Sequence, residues 1–391
     1  MSAARPGLAI LALAVGGFTI GTTEFVTMGV LPQVAHGVHV SVPTAGHIIS
    51  AYALGVVVGV PILAFFGAAL PRRGMLVGLM TAYAAFNVLS AAAPTYAVLA
   101  VGRFLCGMPH GAYFGVASLV AASLVEPGRR GRAVAAVMLG LSIANVVGVP
   151  AATWLGENVG WRATYLTSAG LAGITVLGIV AVVPRMPGDS EASGRTEARE
   201  FFGNLQVWLT MAAGAIGFGG FFAVYSYVAK TVTVVGGLER GTVPVFVLAL
   251  GLGMVAGTWL AGELAAISVF RSLIGGGCGC GVFLLVYFVA APHGWWLLPV
   301  AFLVSSSGSV LVVNLQLRLM DVAGNAVTLG AAMNHAALNL ANALGAWLGG
   351  IVIAAGHGYR APALVGAVLS VLGVVILLWS AAAHRRTVTP A

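Results

Sequence analysis

The sequence predicts an all-α membrane protein in which twelve transmembrane helices form two six-helix bundles. Of its 391 residues, 60% are hydrophobic and only 7% are charged, whereas a soluble domain has about 25% charged residues. Apolar stretches of about 18 or more residues recur along the whole chain, and each is long enough to cross a bilayer as a helix. The stretches are continuous and do not alternate with polar residues, which excludes a transmembrane β-barrel.

The apolar stretches define the twelve predicted spans, six before and six after a polar segment. They cover residues 7–30, 44–67, 75–93, 96–121, 133–155, 163–184, 206–229, 243–263, 271–291, 295–317, 327–353 and 362–382. We expect the first of them to be a true span and not a cleaved signal peptide. It is too long for a signal peptide, contains Glu24 and leads directly into the next span.

The polar segment at 185–205 differs in composition from the rest of the chain. Asp189, Glu191, Glu197 and Glu200 lie there among serine, glycine and arginine residues, a composition typical of a solvated linker. We therefore predict three parts, which are an N-terminal six-helix bundle at 1–184, a cytoplasmic linker at 185–205 and a C-terminal six-helix bundle at 206–391.

The basic residues are distributed unevenly between the two sides of the membrane. An even number of spans places both termini on one side, and that side would hold Arg5, Arg72, Arg73, Arg129, Arg130, Arg132, Arg185, Arg195, Arg199, Arg271, Arg318, Arg385 and Arg386. The opposite side holds Arg162, Arg240 and Arg360, with Lys230 at a helix end. Because basic residues mark the cytoplasmic side, we expect both termini to be cytoplasmic in a bacterial inner membrane. The same rule explains the net charge of +8 without a nucleic-acid partner.

The two halves share a short internal repeat in the fifth and eleventh predicted spans. Asn145 precedes Gly148 in one span as Asn342 precedes Gly345 in the other. Each pair is followed by a glycine, an aromatic residue and an arginine, and the asparagine lies 15 residues before this glycine in one half and 16 in the other. The repeat predicts two six-helix halves related by a parallel duplication.

Four motifs together resemble a known family. They are Gly21-Thr22-Thr23-Glu24-Phe25, Gly102-Arg103-Phe104 with Gly107-Met108-Pro109-His110-Gly111, the segment from Ala144 to Pro150, and the segment from Asn334 to Gly345. Over essentially the whole chain the sequence resembles the major facilitator superfamily, specifically the twelve-span drug:proton antiporters of the arabinose-efflux-permease-like group. The resemblance implies a proton-coupled secondary active transporter that exports a drug-like compound or a sugar by alternating access. It implies a monomer without cofactor or metal, whose partners are the substrate, protons and the lipid bilayer.

The cytoplasmic loops depart from the family pattern. The family has an aspartate in the loop after the second span, but here that loop, residues 67–74, contains Arg72 and Arg73 and no aspartate. The corresponding loop after the eighth span, residues 262–266, also lacks it. For the two arginines we consider a gating role, a cap on helix C-termini, contact with lipid phosphates, or a role in orientation alone.

Glu24 and Arg103 are the only acidic and the only basic residue well inside a predicted span. A charged side chain at the centre of a transmembrane helix costs ~2.5–3.5 kcal/mol or more, so its presence indicates function. At ~1.5 Å per residue, the two lie about 26 Å and 27 Å from the cytoplasmic ends of their helices, which is the same depth. We predict a Glu24–Arg103 pair, direct or through water, that couples transport to protons. The alternative is a wet, structural Glu24 near the outer mouth.

His110 is the third candidate for proton coupling. It follows Arg103 by seven residues, two turns along the same helix face, near the bilayer midplane where transporter sites lie. Gly107 and Gly111 share that face. A packing histidine that is hydrogen-bonded to a neighbouring helix explains the same residue equally well.

The remaining polar and aromatic candidates fall into two groups. We predict a substrate cavity lined by Thr23, Phe25, Met28, Tyr225, Tyr227, Asn314, Gln316, His335 and Asn339. For helix packing or gating we predict Asn145, Gly148, Pro150, Asn342, Gly345, Arg72 and Arg73. His335, Asn339 and Asn342 lie at i, i+4 and i+7 and must face protein or water, so interhelical hydrogen bonding is the leading interpretation for this stripe.

Three other functions compete with an exporter. A facilitator or importer of a small solute remains an alternative, although a uniporter has no need of a carboxylate inside a span. An intramembrane enzyme lacks support, because the chain has no His-Glu-x-x-His or Gly-x-Ser-x-Gly motif. A channel would need rings of charge or a carbonyl filter built from oligomeric repeats, which a six-plus-six pattern does not suggest.

Overall fold

A computed structural model describes residues 6–187 and 193–388. Within these ranges the chain is helical and contains no strand. The α-helices are α1 Pro6–Gly29, α2 Leu31–Gly37, α3 Val42–Gly67, α4 Arg72–Ala92, α5 Tyr96–Ser123, α6 Arg130–Ile143, α7 Val149–Asn158, α8 Trp161–Val182, α9 Gly194–Gly203, α10 Leu205–Gly217, α11 Gly219–Tyr225, α12 Val228–Lys230, α13 Val243–Ala290, α14 Leu297–Val322, α15 Val327–Val352 and α16 Ala361–Val388.

The predicted spans are confirmed as long apolar helices. Ten helical runs in the described part of the chain are long and apolar enough to cross a membrane, and one of them extends over 83 residues, Arg240–Val322. At ~1.5 Å per residue this run would be about 125 Å long, roughly four times the hydrocarbon thickness of a bilayer. Its backbone leaves the helical conformation at Ser268 and at His293 and Gly294. Three membrane passes in this run and one in each of the other nine helical runs give the twelve predicted spans.

Short polar side chains begin several of the helices. The Ser41 hydroxyl accepts a hydrogen bond from the Thr44 amide at the start of α3, and the Thr95 hydroxyl accepts one from the Val98 amide at the start of α5. The Asn204 side chain does the same for α10. Serine, threonine and asparagine at this position satisfy amide groups that have no partner within the helix, so they mark where these helices begin.

The segment predicted as a solvated linker contains a helix with a buried side. Asp189 and Glu191 lie outside the described residues, but α9 covers Gly194–Gly203. Phe201 is fully buried and Glu197 is 7% exposed. The difference from the prediction arises because α9 is amphipathic, with an apolar face that polar composition averaged over 21 residues conceals.

Two compact units make up the fold. The first contains the chain up to Phe201 and also Asn325–Ala336, and the second contains Phe202–Gly324 and the chain from Ala337 onward. The helix α15 therefore begins in the first unit and continues in the second. The domain limits predicted from composition assign the whole of α15 to the second bundle.

Each unit has its own apolar core. In the first, valines of α1 and its continuation, such as Val26 and Val30, pack in a cluster with Ile48, Trp161 and Tyr165. In the second, aliphatic side chains pack with a group of aromatic rings, and Phe218 stacks on Phe221 with 5.1 Å between ring centres. Exposed apolar residues are frequent on the outside of both, as is expected of helices whose solvent is lipid.

Candidate functional site

Arg103 lies buried between two aromatic rings of the first unit. Its guanidinium carbon is 4.5 Å from the centre of the Tyr52 ring and 5.0 Å from that of the Tyr165 ring. Nη2 donates a 3.4 Å hydrogen bond to the Thr23 carbonyl, while Nε and Nη1 have no hydrogen-bond partner among the described residues. Tyrosine faces attract a desolvated cation by ~2 kcal/mol or more. The rings therefore hold the guanidinium and leave two of its donor nitrogens available.

Glu24 lies on α1, one residue after the Thr23 carbonyl that Arg103 contacts. Its side chain is half-buried, and Arg103 is the charged group that acts on it electrostatically. The hydrogen bond of Arg103 goes to Thr23 and not to the Glu24 carboxylate. The two predicted partners thus occupy the same region as opposite charges without a direct hydrogen bond between them.

The residues around Glu24 on α1 differ in their exposure. Thr23 is fully buried, and its hydroxyl donates to the Thr19 carbonyl at 3.0 Å. Phe25 is 8% exposed, whereas Met28 is 39% exposed. Of the three α1 residues predicted to line a cavity, Met28 alone presents a substantial apolar surface.

His110 takes part in a buried chain of hydrogen bonds. Its Nδ1 is 3.0 Å from the Tyr52 hydroxyl, and its Nε2 is 3.1 Å from Nδ1 of His335. The Tyr52 hydroxyl also lies 3.3 Å from that of Tyr83. The structure therefore brings His335 of α15 against His110, although the two residues are 225 positions apart in sequence.

The predicted cavity residues of the second unit are mostly buried in helix contacts. The Tyr227 hydroxyl donates to the Ala346 carbonyl at 2.7 Å, and Tyr225 packs on Phe221. Asn314 is fully buried and donates to Val310 of its own helix, while its Oδ1 has no hydrogen-bond partner among the described residues. Gln316 is also fully buried, and Asn339 is 6% exposed. Asn314 therefore retains an acceptor that no described residue satisfies.

Of the predicted packing residues, Gly148 and Gly345 lie where helices approach closely. A Cβ atom on Gly148 would be 2.1 Å from the Thr22 hydroxyl oxygen, and one on Gly345 would be 2.1 Å from the Gly219 carbonyl oxygen. Asn145 donates to the Leu141 carbonyl of its own helix at 3.1 Å, in a π-helical segment at Ala144–Gly148. Pro150 is exposed and Asn342 is half-buried.

The two loop arginines have different surroundings. Nη2 of Arg73 donates to the Val180 carbonyl in the last turn of α8, which is the helix-capping contact considered among the alternatives. Arg72 acts electrostatically on Glu197 of α9. The Glu197 carboxylate in turn accepts a 3.2 Å hydrogen bond from the Leu329 amide in the first turn of α15.

Sequence reasoning missed the aromatic residues of this site. Tyr52, Tyr83, Tyr165 and Phe114 surround the candidates that were predicted from charge. Tyrosine is enriched at the membrane–water interfaces, so tyrosines in the middle of a span were a usable signal. Which charge they would contact depends on tertiary packing.

Comparison with known proteins agrees with this architecture. The sequence profile of the Major Facilitator Superfamily matches residues 13–335. The chain is 40% identical over 390 residues to the inner membrane transport protein YdhP of Escherichia coli K12, covering 97% of each chain. It is 31% identical to the chloramphenicol resistance protein of Streptomyces lividans, over 86% of this chain and 87% of that protein. The Escherichia coli fucose:proton symporter FucP shares the fold, with a TM-score of 0.75 and 14% identity over 95% of this chain and 98% of that one.

Proposed function

Because the chain belongs to the Major Facilitator Superfamily, we propose that it is a proton-coupled antiporter that exports a small organic molecule. The superfamily and its relatives make it a transport protein of the bacterial inner membrane and not an enzyme. The observation that carries the proposal of proton coupling is that the half-buried Glu24 and the buried Arg103 interact electrostatically within the first unit.

Glu24 is the proton-binding group of the proposed cycle. When it is deprotonated, its carboxylate is attracted to the Nε and Nη1 donors of Arg103, which lack other partners among the described residues. Protonation removes this attraction and leaves the Arg103 donors available to another acceptor. A cycle in which the proton and the substrate stabilise different states exchanges one for the other.

We infer the direction of transport and the substrate class from the relatives. The name of the Streptomyces lividans relative connects it with chloramphenicol resistance, which export of the compound would provide. By analogy, we propose that this chain exports a drug-like molecule. A sugar is the second candidate class of substrate. We propose further that the protein works as a monomer and that both of its termini lie in the cytoplasm.

Inside-out membrane vesicles with an acidic interior test the proposal. A pH-sensitive dye reports proton release when chloramphenicol, other drug-like compounds and sugars are added one at a time. We expect at least one compound to dequench the dye in a saturable manner, and a protonophore to abolish the response. Saturable solute flux that does not depend on the pH difference would identify a facilitator. Proton movement in the same direction as the solute would identify an importer.

A further inference from the structure

The contacts of His110 form a continuous path between three helices of the first unit. Tyr52 on α3, His110 on α5 and His335 on α15 are joined by hydrogen bonds of 3.0 Å and 3.1 Å. We propose that these three side chains form a proton relay, through which a proton bound by Glu24 is transferred to His335. The proposal rests on the proton coupling proposed above and assigns His335 a role in it.

Close helix packing places the two imidazoles within hydrogen-bonding distance. A Cβ atom on Gly115 would lie 2.6 Å from the Cα and N atoms of Ala332, and one on Gly111 would lie 3.2 Å from the Cβ of His335. The α5 backbone therefore approaches α15 at two successive glycines. A larger residue at Gly115 would separate the helices, since the obstacle is backbone and not a flexible side chain.

Phe114 fixes the orientation of the His335 ring. The two rings are stacked, with 4.2 Å between centres and 14° between planes. His110 lies 5.4 Å from the same phenylalanine ring. His110 and His335 are 1% and 3% exposed, so competing water has little access to the hydrogen bond between them. Hydrogen bonds in such surroundings are stronger than in water.

The donors and acceptors along the path allow a proton to move in one direction. In the proposed relay, the Tyr52 hydroxyl donates to His110 Nδ1, and the Nε2–H of His110 donates to His335 Nδ1. When a proton reaches the Tyr52 oxygen, the Tyr52 proton passes to His110 and the His110 Nε2 proton passes to His335. The carboxylic acid of Glu24 becomes a carboxylate and His335 becomes an imidazolium, so one proton is transferred and charge balances.

Proton entry from Glu24 involves Tyr52 as the first group. Glu24, Arg103, Tyr83 and Cys106 all act electrostatically on Tyr52. No direct hydrogen bond joins Glu24 to Tyr52 among the described contacts, so the proposed relay requires a bridging water for this step. The titratable and charged groups around the relay are Glu24 on α1, Tyr83 on α4, and Arg103 and Cys106 on α5.

A purely structural role for the histidine pair predicts a different behaviour. Interhelical hydrogen bonds between buried polar residues hold membrane helices together by about 0.6 kcal/mol on average. A glutamine that keeps a hydrogen bond across this contact would then support transport. A relay requires a group that accepts one proton while releasing another, which glutamine cannot do at neutral pH.

Transport by matched variants separates the two roles. His110→Gln, His335→Gln and Gly115→Ala are compared with His36→Gln, an exposed histidine on α2, and with Gly170→Ala on α8, where a Cβ meets open space. In vesicles supplied with a compound that the panel identifies, we expect the first three variants to lose pH-driven accumulation at least tenfold and retain exchange without a pH difference. The two controls should behave as the wild type. Wild-type accumulation in His110→Gln and His335→Gln would overturn the relay while the proposed antiport stands.

A spectroscopic measurement tests the relay even if no compound drives proton movement. Nitrogen NMR of isotope-labelled histidine in the full-length protein, assigned with the single variants, follows both rings during a pH titration. Coupled groups titrate as a pair, so we expect the His110 and His335 signals to move together in the wild type and His335 to shift its midpoint in Gly115→Ala. Independent titration of the two rings in the wild type would overturn the relay.

Discussion

Arg103 is held by two aromatic rings and one backbone carbonyl, which makes its planar guanidinium difficult to replace. Lysine carries the same charge but cannot place donors in several directions or stack its head group between Tyr52 and Tyr165. We expect Arg103→Lys to weaken the attraction for Glu24 and for the rings by about 1–2 kcal/mol, and to slow coupled transport about tenfold. Initial rates of pH-driven accumulation, measured at equal amounts of folded protein, check this.

Arg103→Ala provides the comparison for that prediction. Removal of the guanidinium leaves the Glu24 carboxylate without its opposite charge, so we expect a greater loss than with lysine. If both variants transport at the wild-type rate, Arg103 is a packing residue and the proposed coupling site loses its cation.

The residues of the site were predictable from the sequence only where burying their side chains in lipid costs free energy. Glu24, Arg103 and His110 stand out because ionisable groups in an apolar span require a reason. Tyr52 and Phe114 are ordinary constituents of a span, and their role follows from the ring contacts that tertiary structure creates. The contact between His110 and His335 spans 225 residues, which no local periodicity encodes.

At the scale of elements, the π-helical segment at Ala144–Gly148 explains what Asn145 does. Its side chain satisfies the Leu141 carbonyl one turn earlier on its own helix, where a π-turn alters the regular hydrogen-bond pattern. We expect Asn145→Ala to lower the free energy of unfolding by about 0.5–1.5 kcal/mol, with the substrate profile unchanged. Thermal unfolding in detergent and transport of the panel compounds measure the two effects.

Asn342→Ala provides a matched variant at the equivalent position of the sequence repeat. Asn342 is half-buried, and we expect a similar or smaller loss of stability. A changed substrate profile at unchanged stability in either variant would instead place the asparagine in the binding site.

The helix α9 caps the first turn of α15 through Glu197. Burial raises the pKa of this carboxyl, and hydrogen bonds from Leu329 and Thr328 and the charge of Arg72 oppose the shift only in part. A folded-state pKa above the unfolded value means that the folded protein binds the proton more tightly. This contribution to stability is full below the unfolded pKa and is lost as the pH rises through the folded pKa.

We therefore expect Glu197→Gln to reduce the pH dependence of unfolding. Glutamine imitates the protonated carboxyl, so the melting temperature of the variant should change less between acidic and neutral pH than that of the wild type. Glu200→Gln changes an exposed carboxylate of the same helix and serves as the control. Equal pH dependence in the wild type and Glu197→Gln would show that another group titrates.

The breaks predicted within the long helical run agree with the backbone. It leaves the helical conformation at Ser268 and at His293 and Gly294, which lie between the predicted spans. In contrast, polar composition at 185–205 conceals the buried Phe201. Hydropathy therefore predicts the passes and the turns between them, whereas a single buried side chain in a polar segment escapes it.

For the whole molecule, the asymmetry of arginines predicts a topology that labelling can test. A Ser193→Cys variant places a thiol just before α9, in the segment expected to be cytoplasmic. We expect it to resist a membrane-impermeant thiol reagent in intact cells and to react after permeabilisation. A cysteine at Gly237, in the turn between the seventh and eighth predicted spans, is the control for the opposite side. Labelling of Ser193→Cys in intact cells would reverse the topology.

The polar segment at 185–205 and the sequence repeat predict a two-part molecule, and the observed units differ from that division in one feature. The first unit includes the beginning of α15 as well as the first six predicted spans. Composition contains no signal for this assignment, because it results from the packing of Ala332 on Gly115 and of Leu329 on Glu197. His335 lies two residues before the point at which α15 passes from one unit into the other.

In the proposed mechanism, Glu24 carries the coupled proton. A difference of one pH unit is worth ~1.36 kcal/mol, which supports about tenfold accumulation when one proton exchanges for one neutral molecule. Glu24→Gln preserves the shape of the side chain and removes its titration, while Glu24→Asp retains a carboxylate on a shorter side chain. Glu24 lies outside the described apolar cluster of the first unit, so we expect both variants to fold.

The most direct test is accumulation of radiolabelled chloramphenicol, or of another compound that the vesicle panel identifies, in proteoliposomes with a pH difference as the only driving force. We expect the wild type to concentrate the compound and Glu24→Gln to lose accumulation at least tenfold while it still exchanges the compound across the membrane. Glu24→Asp should retain part of the activity with a shifted pH optimum. Wild-type accumulation by Glu24→Gln would contradict the account, because the proton would then cross without the carboxyl group of Glu24.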